Sequence, residues 1–177
     1  MIKNARAHDS EDALKIAYIH SDADKLDSIR KESFDVVFAN MSLMDIEDAR
    51  GAISEVARVL KKGGRLVASI CHPCFDNGSK SGWLVEKGMS GTTTYRRIRA
   101  YRKPFKERTP WKSAGKTRYT LSFHRPLNWY ARVLHLSGLA ITALEEPEPT
   151  EEFVKEERDA TGFAEVPLHL VFEAVKL

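Results

Sequence analysis

The chain has 177 residues, of which 42% are hydrophobic and 30% charged, and its formal net charge is +3 at pH 7. This length and composition are typical of one globular domain and exclude a disordered or low-complexity chain. Because no apolar run reaches the roughly 18 residues of a membrane span and two cysteines cannot form a disulfide framework, we expect a cytoplasmic protein without a membrane partner.

The first part of the chain is only weakly patterned. Residues 1–15 are predicted to form the end of a helix, and the apolar residues of 16–20 a short strand. The polar residues of 21–24 end that strand. From the residues alone, the simplest role for Asp22 is to cap the helical turn that follows.

The segment from Phe34 to Phe75 is predicted to form a strand, a helix and a second strand. Residues 34–39 are apolar and rich in β-branched and aromatic side chains, which is typical of a strand buried on both faces. A polar turn follows, in which Asp45 or Asp48 can lie near a helix start, and from Ala49 the apolar residues recur at helical spacing. Gly63 and Gly64 end the helix, and residues 65–70 form the second strand. Two apolar strands joined by a helix of this length are expected to lie parallel.

The sequence of this unit resembles class I S-adenosylmethionine-dependent methyltransferases of the type 11-like group. The resemblance is carried by Phe34-Asp35-Val36-Val37-Phe38, by the continuous run from Glu55 to Val67, and by His72-Pro73-Cys74-Phe75. Similar sequence segments occur around the fourth and fifth strands of that family. The resemblance implies an α/β fold with a Rossmann-like, mostly parallel sheet, and S-adenosylmethionine as the cofactor of the complete domain.

The resemblance also implies which residues contact the cofactor. Asp22 and Ala23 match the pair that faces the adenine, and Asn40 and Met41 match residues that line its methionine end. A carboxylate at Asp22 can accept a hydrogen bond from the exocyclic amine. The alternative for the methionines is that they pack beneath the next helix, as methionine often does, and for Met44 this is the preferred interpretation.

One feature of the family is missing from the sequence. Its first strand ends in a glycine-rich turn that lets the backbone approach the cofactor, whereas the first glycine here is Gly51. We therefore expect the chain to lack strands one and two and to start inside the family's second helix. A misassigned start codon, a shortened expressed chain or a natural remnant would each account for this. Since the strand at residues 34–39 would lose its neighbours, we expect a homodimer or an altered strand pairing.

The motif Cys71-His72-Pro73-Cys74 also needs an interpretation. It has the spacing of half a zinc site, but none of the other five histidines shows a paired ligand spacing. A redox CxxC lies at a helix start, whereas this one follows a strand. We therefore expect no metal site at this motif, and we predict that His72 is a residue of the substrate site.

Residues 76–124 are predicted to be an inserted region that covers the site, within a single domain of residues 1–177. Residues 76–91 are polar and glycine-bearing, with Trp83 as an apolar anchor, and are predicted to be a mobile loop. Residues 95–118 carry a charge of +9, which leaves −6 for the rest of the chain, and aromatic residues are interleaved with the cations. This pattern suits either a clamp for nucleic acid or a hairpin cap with a solvated basic face, with residues 96–100 and 119–123 as its strands. The cap is preferred.

The last third of the chain continues the resemblance. His124 and Arg125 lie where the family shapes the substrate entrance, before a helix that Pro126 opens and Gly138 ends. A histidine here can act as a general base or as a helix cap, and the sequence favours neither. Residues 139–144 and 167–175 are predicted strands, with a charged linker or short helix between them. In the family the last strand inserts antiparallel between strands five and six.

The sequence therefore leaves two functions open. The first is an S-adenosylmethionine-dependent methyltransferase acting on a small molecule that the sequence does not identify. Methyl transfer needs mainly alignment of donor and acceptor in a dry pocket, so no fixed set of catalytic residues is expected. The second is a non-catalytic remnant that serves as a binding or dimerisation module.

Overall fold

The computed structural model describes residues 4–7, 16–89, 91–113, 115–156 and 162–177. Its strands are β1 (Phe34–Asn40), β2 (Leu60–Cys71), β3 (Ser81–Gly88), β4 (Gly91–Ile98), β5 (Phe105–Ser113), β6 (Lys116–His124), β7 (Leu139–Glu145) and β8 (His169–Lys176). The helices are α1 (Ala49–Val59), α2 (Leu127–Leu136) and α3 (Glu151–Glu156), and residues 4–7 are also helical. No helix among the described residues is long and apolar enough to span a membrane.

Four strands form the central sheet, in the order β1-β2-β8-β7. β1 lies parallel to β2, with Val36 beside Arg65 and Asn40 beside Ser69. β8 runs antiparallel between β2 and β7. The parallel strand–helix–strand unit and the insertion of the last strand are therefore both confirmed.

The hydrophobic core lies on one face of this sheet. Side chains alternate between faces along a strand, and every second residue from Leu66 to Ile70 of β2 and from Leu170 to Ala174 of β8 is almost fully buried. These residues meet the apolar stripes of α1 and α2, including Ile53 and Leu134. Asp48 caps α1 by accepting a hydrogen bond from the Gly51 amide, 2.9 Å away, as predicted. Helix α1 ends at Val59, and β2 begins at once instead of at residue 65.

The opposite face of the sheet is open near β1. Phe34, Val36 and Phe38 are 42%, 47% and 67% exposed, and among the described residues β1 pairs with β2 alone. The prediction of a strand at residues 16–20 is wrong, because this segment has no regular secondary structure. A strand needs a hydrogen-bonded neighbour, and residues 16–20 do not pair with β1. The prediction of helix in residues 1–15 holds for residues 4–7, and the remainder lies outside the described residues.

The inserted region consists of two antiparallel hairpins, β3–β4 and β5–β6. The prediction of a mobile loop at residues 76–91 is therefore wrong over β3, whose last residue, Gly88, pairs with Gly91 at the start of β4. The two strands predicted to pair, residues 96–100 and 119–123, instead belong to different hairpins. Pairing with a neighbour across a short turn closes a smaller loop and costs less entropy.

The C-terminal elements follow the prediction. Pro126 precedes the first turn of α2, and Gly138, at φ +76°, allows the chain to turn into β7. Since left-handed backbone is strained for residues with a Cβ, glycine suits this position. The charged linker contains the short helix α3.

Candidate functional site

Asn40 and Met41 lie at the carboxyl end of β1 and are held there by Ser69 of the neighbouring strand. The Ser69 hydroxyl donates to Oδ1 of Asn40, 2.5 Å away, and accepts from the Met41 amide at 3.0 Å. Met41 has φ +43°, in the left-handed region that is uncommon for a non-glycine residue. Strained positions of this kind cluster at ligand sites when the surrounding structure enforces them.

The turn that contains Asp22 and Ala23 lies near the start of α1. A Cβ placed on Gly51, in the first turn of α1, would be 2.9 Å from the Cβ of Asp24. Asp22 is exposed and Ala23 is half-buried. Because α1 follows β1, the turn at residues 22–24 is at the same edge of the sheet as Asn40 and Met41.

The chain after this turn is fixed to α1 by an ion pair. Arg58 donates to the carbonyl oxygens of Leu26 and Ile29, each 2.9 Å away, and is paired at 2.8 Å with Glu55. The Arg58 hydrogen bond holds the pKa of the Glu55 carboxyl below its usual value, against a smaller opposing effect of burial. These contacts fix the turn without any neighbouring strand.

A cavity of about 430 Å³ opens beside this edge, between the carboxyl end of β2 and the β5–β6 hairpin. Its walls are apolar side chains with three carboxylates and one guanidinium among them. The charged members are Asp45, Asp76, Glu107 and Arg125. Phe105 and Thr109 of β5 also line it, so the alternate side chains Phe105, Glu107 and Thr109 face the cavity. The cations at even positions, Lys106, Arg108 and Lys112, are exposed.

The β5–β6 hairpin is attached to the body of the domain on both sides of the cavity. Glu107 accepts hydrogen bonds from the amide and the hydroxyl of Ser79, the latter at 2.6 Å. The Ser122 hydroxyl donates to Asp45 at 2.8 Å. Gly78 adopts φ +63° and leaves no room for a Cβ, which would overlap Oε1 of Glu107. The hairpin therefore forms a fixed roof over the cavity.

Arg125 and His124 both line the cavity. Arg125 is 7% exposed, and its guanidinium donates to the carbonyl oxygens of Leu43, Ile46 and Glu47 at 3.3, 2.7 and 2.8 Å. It thereby orders the turn that presents Asp45. Nε2 of His124 lies 2.8 Å from the carbonyl oxygen of Tyr101, which fixes the proton on that nitrogen and leaves the lone pair on Nδ1.

The thiol of Cys71 forms part of the cavity floor. Burial raises its pKa to about 12, helped by the negative charges of Asp76 and Asp45. Burial also raises the pKa of Tyr130, against the effect of Arg125. Since the thiolate is the nucleophile, this raised pKa makes the Cys71 thiol weakly reactive at neutral pH. The described residues contain no group of three or more His, Cys, Asp or Glu that could hold a metal ion.

His72 and Trp83 lie outside the cavity lining. His72 is 2% exposed, with Nε2 2.8 Å from Glu146 and Nδ1 accepting from the Cys74 amide at 3.1 Å. These bonds tie the end of β2 to the chain after β7. Trp83 packs on Phe163, with ring centroids 5.4 Å apart. Substrate contact by either residue stays a prediction.

Several site residues were missed in the sequence. Ser69 is a polar residue in a buried strand, and this polarity was the signal available in the sequence. The register of β1 and β2 then places it opposite Asn40. Asn77 is 3% exposed and lines the cavity, yet it lies in a polar run that the sequence does not distinguish from a loop. Glu107 is the single acid of residues 95–118, and nothing in the sequence indicates that it faces the cavity.

The chain was compared with known proteins at the level of sequence and of structure. Residues 1–68 match a family model described as "Methyltransferase domain". An S-adenosylmethionine-dependent methyltransferase from Mesorhizobium loti superposes with a TM-score of 0.73 and 25% identity, over 98% of this chain and 75% of that one. A Listeria monocytogenes protein assigned to the same class has a TM-score of 0.73 and 20% identity, over 97% and 75% of the two chains. The CcbJ methyltransferase from Streptomyces caelestis has a TM-score of 0.64 and 12% identity, over 100% and 75%.

A search of curated proteins found no match. The matched sequence region contains β1, α1 and most of β2, the same unit that carries the family resemblance. The structural match extends this to almost the whole chain, including the antiparallel insertion of β8. Residues 1–68 therefore match the methyltransferase family, and almost the whole chain has the fold of S-adenosylmethionine-dependent methyltransferases.

Proposed function

We propose that the chain binds S-adenosylmethionine at the carboxyl edge of β1 and transfers its methyl group to a small molecule held in the cavity. The observation that carries this proposal is the position of the cavity. Its lining begins at Met44 and Asp45, three residues beyond Met41, and continues to Cys71 at the end of β2. In open α/β sheets, ligands bind outside the carboxyl ends of the strands.

S-adenosylmethionine is the cofactor of the complete domain in this family, and when bound it supplies a methyl group activated by a sulfonium. The residues at the edge fit one wall of such a site. Asn40 is exposed, and its Oδ1 accepts a hydrogen bond from the Ser69 hydroxyl. Its side-chain amide NH2 can therefore donate to the methionine end of the cofactor. Asp22 has an exposed carboxylate, with Ala23 beside it, and this carboxylate would accept a hydrogen bond from the adenine amine. The 177 residues contain no glycine-rich turn.

The cavity residues would align the acceptor and keep water away from it. Methyl transfer gains most of its rate from such alignment. His124 is the base that we assign to the acceptor's proton, because Nδ1 keeps its lone pair while Nε2 is held by Tyr101. Arg125 would act on the acceptor through the turn that it orders.

Calorimetry with S-adenosylhomocysteine tests the cofactor site. We expect binding by the chain, and about fivefold to tenfold weaker binding by Ser69→Ala, because Asn40 and Met41 lose the hydroxyl that positions them. Ser54→Ala, at an exposed position of α1, is the matched control and should bind as the unaltered chain does. Absence of binding, or equal affinity of Ser69→Ala, would contradict the proposal.

We also propose that two copies associate through β1. Its free edge and the exposed Phe34, Val36 and Phe38 would be covered by the β1 strand of a second copy, since exposed apolar edges favour strand pairing. Light scattering on an eluting sample should give a dimer, and Phe38→Lys a monomer. Leu144→Lys, on the strand at the far edge of the sheet, should leave the dimer intact. A monomeric unaltered chain would exclude this arrangement.

Nucleic acid is a second candidate partner, supported by the outward face of the β5–β6 hairpin. Its cations are exposed, and the Arg108 guanidinium lies 3.7 Å from the centre of the Tyr119 ring. Basic and aromatic side chains together can bind phosphates and stack on bases. A fluorescence titration with single-stranded RNA should then show affinity that falls steeply with salt. Lack of binding at low salt would remove this candidate.

The unpaired cysteines support a cytoplasmic location. Cys71 and Cys74 are both free thiols, and thiols persist in reducing compartments. A fluorescent fusion at the C-terminus should distribute through the cytoplasm, whereas export would contradict this proposal.

A further inference from the structure

The charges that face the cavity have the opposite sign to those on the outside of its roof. The lining contains Asp45, Asp76 and Glu107 against Arg125 alone. The cationic side chains of β5 are exposed on the other surface of the hairpin. No cation of the basic stretch lines the cavity, and its one contact with a lining carboxylate is that of Arg96 with Asp76 at 3.2 Å, which leaves Asp45 without a cationic partner among the described residues.

The one guanidinium in the lining is already engaged. Arg125 donates to three backbone carbonyls, and its charged group lies 5.2 Å from the centre of the Phe123 ring and 4.9 Å from that of Trp129. It has little capacity left for an anionic ligand. Asp45, by contrast, uses one carboxylate oxygen for Ser122, which leaves hydrogen-bonding capacity on the other.

Asn77 provides an independent indication of a ligand. It is 3% exposed and lines the cavity; its Nδ2 donates to the carbonyl oxygen of Arg99 at 2.7 Å. Its Oδ1 is the one buried side-chain atom among the described residues that has no hydrogen-bond partner. Leaving such an acceptor unpaired is costly, so buried polar atoms without partners call for an explanation. A donor on a bound molecule would satisfy it.

We propose that the acceptor molecule carries an amine beside an apolar body, with the amine placed among Asp45, Asp76 and Asn77. This inference rests on the proposed methyltransferase function. An ammonium supplies only donors, which matches a lining that supplies carboxylate and amide acceptors. Phe105, Phe123 and Tyr130 provide the apolar walls for the rest of the molecule.

The reaction balances with the groups already assigned. The bound ammonium first gives one proton to Nδ1 of His124, which leaves a neutral amine with a free lone pair. That lone pair forms the new nitrogen–carbon bond to the methyl group while the carbon–sulfur bond breaks and its electron pair stays on sulfur. The product is a methylated ammonium, whose positive charge the same carboxylates stabilise.

Binding of three probes that share a phenyl ring and a short linker tests the charge preference without any cofactor. The probes are 2-phenylethylamine, 2-phenylethanol and 3-phenylpropionate, followed by amide chemical shifts at Cys71, Asn77 and Ser122. We expect the amine to bind at least fivefold more tightly than the alcohol, and the carboxylate most weakly. A carboxylate that binds as well as the amine, or failure of all three to shift these amides, would overturn the inference.

Two matched substitutions locate the effect. Asp45→Asn keeps the acceptor for Ser122 and removes the charge, so amine affinity should fall about fivefold. Asp35→Asn removes an exposed carboxylate paired with Lys61, outside the cavity, and should have no effect. Unchanged amine affinity in Asp45→Asn would overturn the inference. S-adenosylhomocysteine binding is measured separately, so a chain that binds the donor but prefers the carboxylate refutes only the amine assignment.

Discussion

Removing the Arg125 side chain should destabilise the domain more than any substitution on the exposed face of α2. Arg125→Ala deletes two hydrogen bonds of 2.7 and 2.8 Å and a longer one of 3.3 Å, and leaves the carbonyls of Leu43, Ile46 and Glu47 without their donor. It also removes the contacts of the guanidinium with two aromatic rings.

The magnitude follows from these contacts. A hydrogen bond to a charged group contributes about 1.5–3 kcal/mol, and a cation–π contact about 0.5–2 kcal/mol. Because such contributions overlap, we expect a loss of about 3–5 kcal/mol in the free energy of unfolding for Arg125→Ala. Arg125→Lys keeps a charge but lacks the planar fork, so it should lose about 1–3 kcal/mol.

Equilibrium urea unfolding followed by far-ultraviolet circular dichroism measures these changes. Arg132→Ala, at an exposed position of α2, is the control and should change stability by less than about 0.5 kcal/mol. If Arg125→Ala loses less than about 1 kcal/mol, Arg125 does not order the turn at residues 43–47. Its proposed influence on Asp45 would then be wrong.

Three further predictions follow from single groups. The Cys71 thiol, with a pKa of about 12, should resist N-ethylmaleimide at pH 8 in the folded chain and react in urea; rapid labelling of the folded chain would contradict its burial. Arg58 lowers the pKa of Glu55 in the folded state, so the pair stabilises above the unfolded pKa and this stability is lost as pH falls. In Glu55→Gln, the free energy of unfolding should therefore decrease less steeply below about pH 4.5 than in the unaltered chain. An equally steep decrease in both chains would refute the coupling. Gly138→Ala, at φ +76°, should cost about 1 kcal/mol in urea unfolding, and an unchanged midpoint would contradict the strain.

The strand–helix–strand unit could be predicted because its signals are local. The apolar run of β1, the stripe of α1 and the glycines after it are all contained in 38 consecutive residues, from Phe34 to Cys71. The end of α1 was predicted too late in the chain. Lys61 and Lys62 suit a helix end, but they are instead exposed residues of β2. The resemblance added the position of β8, which no local pattern specifies.

The strand pairing of the inserted region could not be read in the same way. Residues 81–88 carry little apolar alternation, and their strand is stabilised by pairing with β4 and by contacts of Trp83 with distant Phe163. Residues 16–20 have the composition of a strand but do not pair with β1 or with any other described strand. In both cases, whether the segment forms a strand depends on its hydrogen-bonded neighbour, and the composition of the segment does not identify that neighbour.

The candidate site depends on contacts between residues far apart in the chain. Ser69 meets Asn40 across 29 positions, His72 meets Glu146 across 74, and Ser122 meets Asp45 across 77. The sequence identifies Asn40 and Arg125 as candidates through the resemblance, but it cannot say that Arg125 is held by backbone carbonyls. Nor does the high positive charge of residues 95–118 reveal that the hairpin contributes Glu107, and none of its cations, to the cavity lining.

The relation between the donor edge and the cavity is best tested by nuclear magnetic resonance on the 15N-labelled chain during titration with S-adenosylhomocysteine. We predict that the largest amide shifts occur at Asp22, Ala23, Asn40 and Met41, with smaller shifts at Asp45 and Cys71 where the cavity begins. Leu144, on the far edge strand, should not move. Shifts confined to the two hairpins, or no shifts at saturating ligand, would contradict a donor site at the carboxyl edge of β1.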